Sequence, residues 1–173
     1  DLIVGLLKPE SGEVYIDESN IEDVLQSWHN QISYVPQSTF LLDSTILENI
    51  AFGINKNDID LSKVENSIKL AGLKEFIDTL PEKYNSRIGE RGIQLSGGQI
   101  QRVGLARAFY KEFEVLILDE STNALDSDTE NEIYNNINKI LENKTIIVIT
   151  HKKELSNNFD KIIRINDGSI DIS

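Results

Sequence analysis

The chain has 173 residues, 39% of them apolar and 27% charged, which suits one globular domain with a buried core, or part of one. Its 29 acidic residues against 17 basic give a formal net charge of −12, which repels phosphate backbones and argues against a nucleic-acid partner. The absence of cysteine excludes disulfides, thiolate metal sites and thiol nucleophiles, and every apolar run falls far short of the roughly 18 residues of a membrane-spanning helix.

Taken in chain order, apolar runs bounded by turn residues predict strands at 13–16 and 32–35. Ser44 or Thr45 ahead of Ile46 marks a helix start. Residues 51–94 show helical spacing and no convincing strand, which predicts a helical insertion packed beside a sheet. Inside it, Asp60 and Ser62 precede Val64, with Glu65 placed as a capping-box partner of Ser62. Another helix follows Ser96. The runs 115–118 and 145–149 are uninterrupted and rich in β-branched residues, as expected of central strands covered on both faces. Between them, 128–141 reads as a helix: the tract is asparagine-rich, yet Ile133, Ile137, Ile140 and Leu141 keep a helical period. A last strand is expected at 161–165. Strands separated by helices predict an α/β fold with a mostly parallel sheet.

The string "LSGGQ" at 95–99 opens the helix after Ser96 with two glycines, which weaken a first turn. With Ser96 as N-cap, Gly97 and Gly98 present free backbone N–H groups at the positive end of the helix dipole, a place suited to an anion. Gln99 adds an amide donor, and Ile100, Val103, Ala106 and Tyr110 form the expected buried stripe. On its own, Ser-Gly-Gly is more often a plain loop-to-helix junction. Further on, "VLILDE" ends in Asp119 and Glu120, which places two carboxylates at the carboxyl edge of the sheet, where open α/β folds bind ligands. One of the pair suits Mg²⁺ and the other could orient or deprotonate a water. His151 follows the run "TIIVIT" and belongs at the same edge.

Together these strings resemble the nucleotide-binding domain of ATP-binding cassette (ABC) transporters. "LSGGQ" is similar to the signature motif, "VLILDE" to Walker B, "NALD" to the D-loop, Thr150-His151 to the H-loop, and Gln37 in "YVPQ" to the Q-loop glutamine. They stand in the family's order over essentially the whole chain. The resemblance implies ATP and Mg²⁺ as cofactors and a P-loop NTPase-like, RecA-type core carrying an ABC helical subdomain. The core would comprise 1–50 and 111–173, with the helical subdomain at 51–110. It further implies Asp119 and Gln37 at the metal, Glu120 as general base, and His151 on the γ-phosphate. Ser96, Gly97, Gly98 and Gln99 would reach ATP held by a second nucleotide-binding domain, with Asp126 at the same boundary.

The sequence departs from the pattern in one respect. It contains no G-x-x-x-x-G-K-[ST] string: its one Lys-Ser/Thr step, Lys144-Thr145, follows Asn143 and not glycine. The resemblance therefore implies a chain beginning just after the Walker A P-loop, without the first strands, which by itself binds Mg-ATP weakly and does not turn it over. The stretch Gly89, Glu90, Arg91, Gly92 is similar to an exporter X-loop that meets a transmembrane domain. Phe40, Leu41 and Leu42 offer either a surface for that domain or ordinary core packing. Thr122 and Asn123 resemble exporters that flip lipid-linked sugars. The expected function is the ATPase motor of an exporter at the cytoplasmic face of a membrane. The alternatives are a soluble ABC ATPase and a nonenzymatic fragment that caps another ABC subunit.

Overall fold

The computed structural model describes residues 1–140, 144–152, 155, 159–166 and 168–172. Three parallel strands form its centre: β3 (Ile32–Val35), β6 (Val115–Asp119) and β7 (Thr145–Ile149), in the order β3-β6-β7. Ile32 pairs with Val115 and Val35 with Leu118, while Asp119 pairs with Ile149. Side chains alternate across β6, so Leu116 and Leu118 enter a large core and Ile117 a smaller one on the opposite face. The smaller core lies under α1 (Ile21–Gln31), where Trp28, Ile21 and Val4 meet Ile117. Trp28 Nε1 donates to the Ile3 carbonyl at 2.8 Å, tying the start of the chain to this helix.

The large core is built from α2 (Ile46–Ile50), α3 (Leu61–Leu70), α5 (Gly97–Tyr110) and α6 (Ser127–Ile140), with the short α4 (Lys74–Asp78) at its margin. The asparagine-rich tract is helical as its period predicts, with Ile133 and Ile137 fully buried. Of its expected end, Leu141 lies outside the described residues.

Several local expectations are corrected. Residues 51–94 do contain a strand, β5 (Arg87–Ile88), paired antiparallel with β4 (Ser44–Thr45); two residues are too few for alternation to register. The cap of α3 is Asp60, whose carboxylate accepts from Lys63 N at 3.1 Å, so Ser62 sits inside the helix and the Ser62–Glu65 box does not form. The strand expected at 13–16 is only β1 (Tyr15–Ile16), closed into a hairpin with β2 (Ser19–Asn20). The strand expected at 161–165 is β8 (Ile163–Asn166), which pairs with an unforeseen β9 (Ser169–Ile172). Far from being covered on both faces, β7 is half-exposed at the sheet margin. On α5 the stripe is broader than expected. Val103 and Ala106 are buried, but Ile100 and Tyr110 only partly, while Gln101, Gly104, Leu105 and Ala108 are buried as well. Beyond its first turn the helix is walled by β3, α2 and α3, so burial extends past a narrow stripe.

Candidate functional site

The carboxyl ends of β3, β6 and β7 lie side by side because the strands are parallel and in register. Asp119 closes β6, and Tyr34 of β3 donates its hydroxyl to Asp119 Oδ2 at 3.1 Å. Burial, and then this bond, raises the Tyr34 phenol above its ordinary 10.0. The next residue, Glu120, turns out of the strand with φ of 48°, a left-handed conformation that costs a non-glycine residue of order 1 kcal/mol. Its N–H still donates to the Ile149 carbonyl at 2.9 Å, so the turn is fixed against the end of β7.

Three side chains converge on the Glu120 carboxylate. Gln37 Nε2 donates to Oε2 at 2.8 Å, Asn123 Nδ2 donates to the same oxygen at 3.0 Å, and His151 Nε2 lies 2.7 Å from Oε1. The Glu120 side chain is 17% exposed while that of His151 is 88% exposed, so His151 reaches in from solvent. The structure thus brings Gln37, Asp119, Glu120 and His151 to one edge. Sequence reasoning missed Tyr34 and Asn123 here; the available signal was Asn123 three residues past Glu120, within reach across one turn.

Ser96, Gly97, Gly98 and Gln99 form a second cluster. Ser96 caps α5: its hydroxyl accepts from Gln99 N at 3.3 Å and Gln99 Oε1 accepts from Ser96 N at 2.9 Å, a complete capping box. Gln99 is therefore held through its oxygen, which leaves Nε2 as its donating end. The two glycines serve different ends. A Cβ on Gly98 would stand 3.1 Å from the Ala124 carbonyl, whereas one on Gly97 would meet ordinary contact at 3.7 Å. Gly98 thus lets α5 pack on the loop at 122–126, and Gly97 leaves its face of the first turn open. The buried Gln101 completes that junction, accepting from Ala124 N at 2.9 Å. Asp126 caps α6, with Oδ1 accepting from Thr129 N at 2.9 Å and Oδ2 from the Thr129 hydroxyl at 2.8 Å. These bonds, the backbone one first, hold its carboxyl below the usual range.

A third group surrounds the segment after Gln37. Arg107 of α5 donates to the carbonyls of Asn49 (2.9 Å) and Phe40 (3.0 Å) and lies over the Phe52 ring. Asn49, fully buried, in turn holds both backbone groups of Leu42. Asp43 lies between Arg87 at 3.7 Å and Arg91 at 3.6 Å, and Gly89 packs on its backbone. The sequence-predicted stretches 40–42 and 89–92 therefore meet. Phe40 is exposed, while Leu41 packs against the large core.

Asp119, a carboxylate ending a strand, is a donor of the kind that suits Mg²⁺. Among the described residues no three His, Asp or Glu side chains converge as metal ligands, whereas Mg²⁺ commonly takes one or two carboxylates and keeps waters and phosphates as its other ligands. A surface cleft of about 550 Å³ between α3 and α4 shares no residue with either cluster.

A parallel α/β domain with a carboxylate centre at its strand ends is the class that this geometry defines. The family model described as ABC transporter matches residues 1–123, and the chain belongs to that family. It is 36% identical over 172 residues to an ATP-dependent lipid A-core flippase of Cupriavidus pinatubonensis, covering 98% of this chain and 29% of the flippase. It is 37% identical over 170 residues to ATP-binding cassette sub-family B member 5 of Homo sapiens, covering 98% of this chain and 14% of that protein. A solved bacterial Atm1-family ABC exporter with ATP bound superposes with a TM-score of 0.88 at 34% identity, over 96% of this chain and 29% of that one. The chain thus spans less than a third of each of these relatives. Among the described residues no helix is long and apolar enough to cross a membrane.

Proposed function

We propose that these residues are the ATP-hydrolysing part of an ABC exporter motor, with Glu120 as the base that activates the attacking water. The observation that carries this reading is Glu120 itself: a left-handed turn at the carboxyl end of β6, with side chains from three segments on its carboxylate. A carboxylate held this way can take a proton from water at a fixed position, and general bases contribute about 10²- to 10⁴-fold. Asp119 and the Gln37 oxygen would hold Mg²⁺, which supplies charge neutralisation on the phosphates. His151, reaching in from solvent, would orient the γ-phosphate against Glu120. Asp119 is oriented by Tyr34.

Gly97 and Gly98 N–H groups and the Ser96–Gln99 turn would receive the phosphates of ATP held by a second nucleotide-binding domain, with Asp126 beside that boundary. The surface at Phe40, Asp43, Gly89 and Gly92 would face a transmembrane domain, placing this part of the molecule at the cytoplasmic face of a membrane. The similarity to a lipid A-core flippase and to an Atm1-family ABC exporter supports substrate export or lipid flipping by membrane-spanning parts of the whole protein. The division into a core at 1–50 and 111–173 with a helical subdomain at 51–110 belongs to the same reading.

The sequence holds no G-x-x-x-x-G-K-[ST] string, so the test uses the full-length polypeptide carrying these residues, reconstituted in lipid. Glu120→Gln is expected to lower the kcat of Mg-ATP hydrolysis by at least about 100-fold while ATP binding persists. Retention of half the wild-type rate would remove Glu120 from the reaction.

A further inference from the structure

One ion pair stands outside the groups described so far. Lys152 Nζ donates to both oxygens of Glu130, at 2.9 and 2.8 Å. The Glu130 side chain is 8% exposed, the most buried carboxylate of any ion pair between described residues; Glu120, at 17%, comes next. The Lys152 side chain is 33% exposed, but its ammonium engages both oxygens of a buried carboxylate, which makes a firmer joint than the pairs whose carboxylates lie on the surface.

What it joins gives it a purpose. Glu130 lies in the first turn of α6, where its N–H donates to the Asp126 carbonyl at 2.9 Å, and Asp126 is the capping residue of that helix. Lys152 directly follows His151, and its N–H donates to the Thr150 hydroxyl at 3.0 Å. The segment carrying His151 is thereby fastened to the helix that Asp126 caps. His151 itself is 88% exposed, and the contact that defines its place is the one to Glu120. A solvent-facing side chain has little packing to hold it, so the geometry at Glu120 depends on how firmly its neighbours are anchored.

We propose that Glu130 and Lys152 are positioning residues: the bidentate pair on the buried Glu130 carboxylate sets where His151 meets Glu120 and locks that arrangement to the α6 cap at Asp126. The reaction consequence rests on the function proposed above, and the anchoring does not. Neither residue touches the reacting atoms. Their effect travels through His151 on one side and Asp126 on the other.

The test takes the full-length polypeptide in lipid with three variants. Lys152→Met and Glu130→Gln break the pair, and Lys152→Arg keeps its charge. Misplacement of a catalytic group by about 1 Å lowers rates by about 10²-fold, so each breaking variant is expected to lose about 10- to 100-fold in kcat. KM for Mg-ATP should stay within about twofold, and Lys152→Arg should retain kcat within about threefold. Amide hydrogen exchange, read on the same proteins without turnover, should accelerate at 126–130 and 150–152 in the breaking variants and stay unchanged in α5. The proposal is overturned if Lys152→Met keeps kcat within about twofold of wild type, if Lys152→Arg loses as much as Lys152→Met, or if exchange rises across α5 and β6 alike. If Glu130→Gln does not fold, the two Lys152 variants decide. If the wild type does not hydrolyse Mg-ATP, the function proposed above falls, and exchange alone decides whether the pair anchors the two segments.

Discussion

The Glu120 cluster and the first turn of α5 are built on opposite plans. Around Glu120 the chain satisfies itself: Gln37, Asn123 and His151 converge on one carboxylate, and the Glu120 N–H continues the ladder to β7. At α5 the cap is closed by Ser96 and Gln99, the body is fixed by Gln101 and Arg107, and the open feature is the pair of glycine N–H groups. On the function proposed above, the centre that orients a base draws its partners from the same chain. A centre that receives an anion needs donors left without an internal partner. The two capping boxes among the described residues sharpen the point. At α2 the box is Thr45 with Glu48, a carboxylate, and at α5 it is Ser96 with the neutral Gln99. A carboxylate in that position of α5 would weaken the attraction of the open N–H groups for any anion.

The contrast can be broken most severely at His151. His151→Ala is expected to lower kcat of the full-length polypeptide by about 100-fold with thermal stability unchanged, since an exposed side chain carries little packing. An unaltered kcat would mean that Glu120 does not depend on its assembled partners. Arg107→Ala comes next. It removes charge-assisted bonds to the Asn49 and Phe40 carbonyls and should cost about 2 kcal/mol, read as roughly 30-fold faster amide exchange at 40–50. Exchange within about twofold of wild type there would show that α5 is held by apolar packing alone. Ser96→Ala should cost about 1 kcal/mol by opening the cap, seen as faster exchange at Gln99 and Ile100 with the Glu120 region untouched.

The smallest effect separates the two capping boxes by pH. Bonds from the Ser44 hydroxyl, Thr45 N–H and the Thr45 hydroxyl lower the Glu48 carboxyl from 4.5 to about 2. A carboxyl depressed on folding contributes stability that is present above about pH 4.5 and lost as pH falls toward 2. Wild type should therefore exceed Glu48→Gln in stability at pH 5 by more than at pH 3, measured by equilibrium unfolding. The Ser96–Gln99 box, having no titrating group, should make no such contribution. Equal differences at the two pH values would show that the Glu48 bonds form without preferring its charged state.

The legible parts of the fold were those set by short spacings. Ser96 ahead of the helical stretch is expected as an N-cap, and it is one; the apolar run 115–118 predicts a buried strand, and β6 is one. The carboxylates at 119 and 120 are where a strand end puts them. Illegible were the features whose partners are remote. Strand β5 exists because Arg87 pairs with Thr45, far back in the chain. The broad burial of α5 depends on β3, α2 and α3 closing around it.

By itself, the sequence determined the chemistry available: a capped, glycine-opened helix, two carboxylates ending a buried strand, a histidine after the next one, and an order of motifs that identifies the family. Tertiary structure alone decided which groups touch. Gln37 lies 83 positions from Glu120, and Tyr34 lies 85 from Asp119, yet each pair is within hydrogen-bond distance. Capping and alternation act over a few residues through the local backbone. Contacts across such separations are set by the parallel register of β3, β6 and β7, which aligns three strand ends and so brings their side chains to one edge.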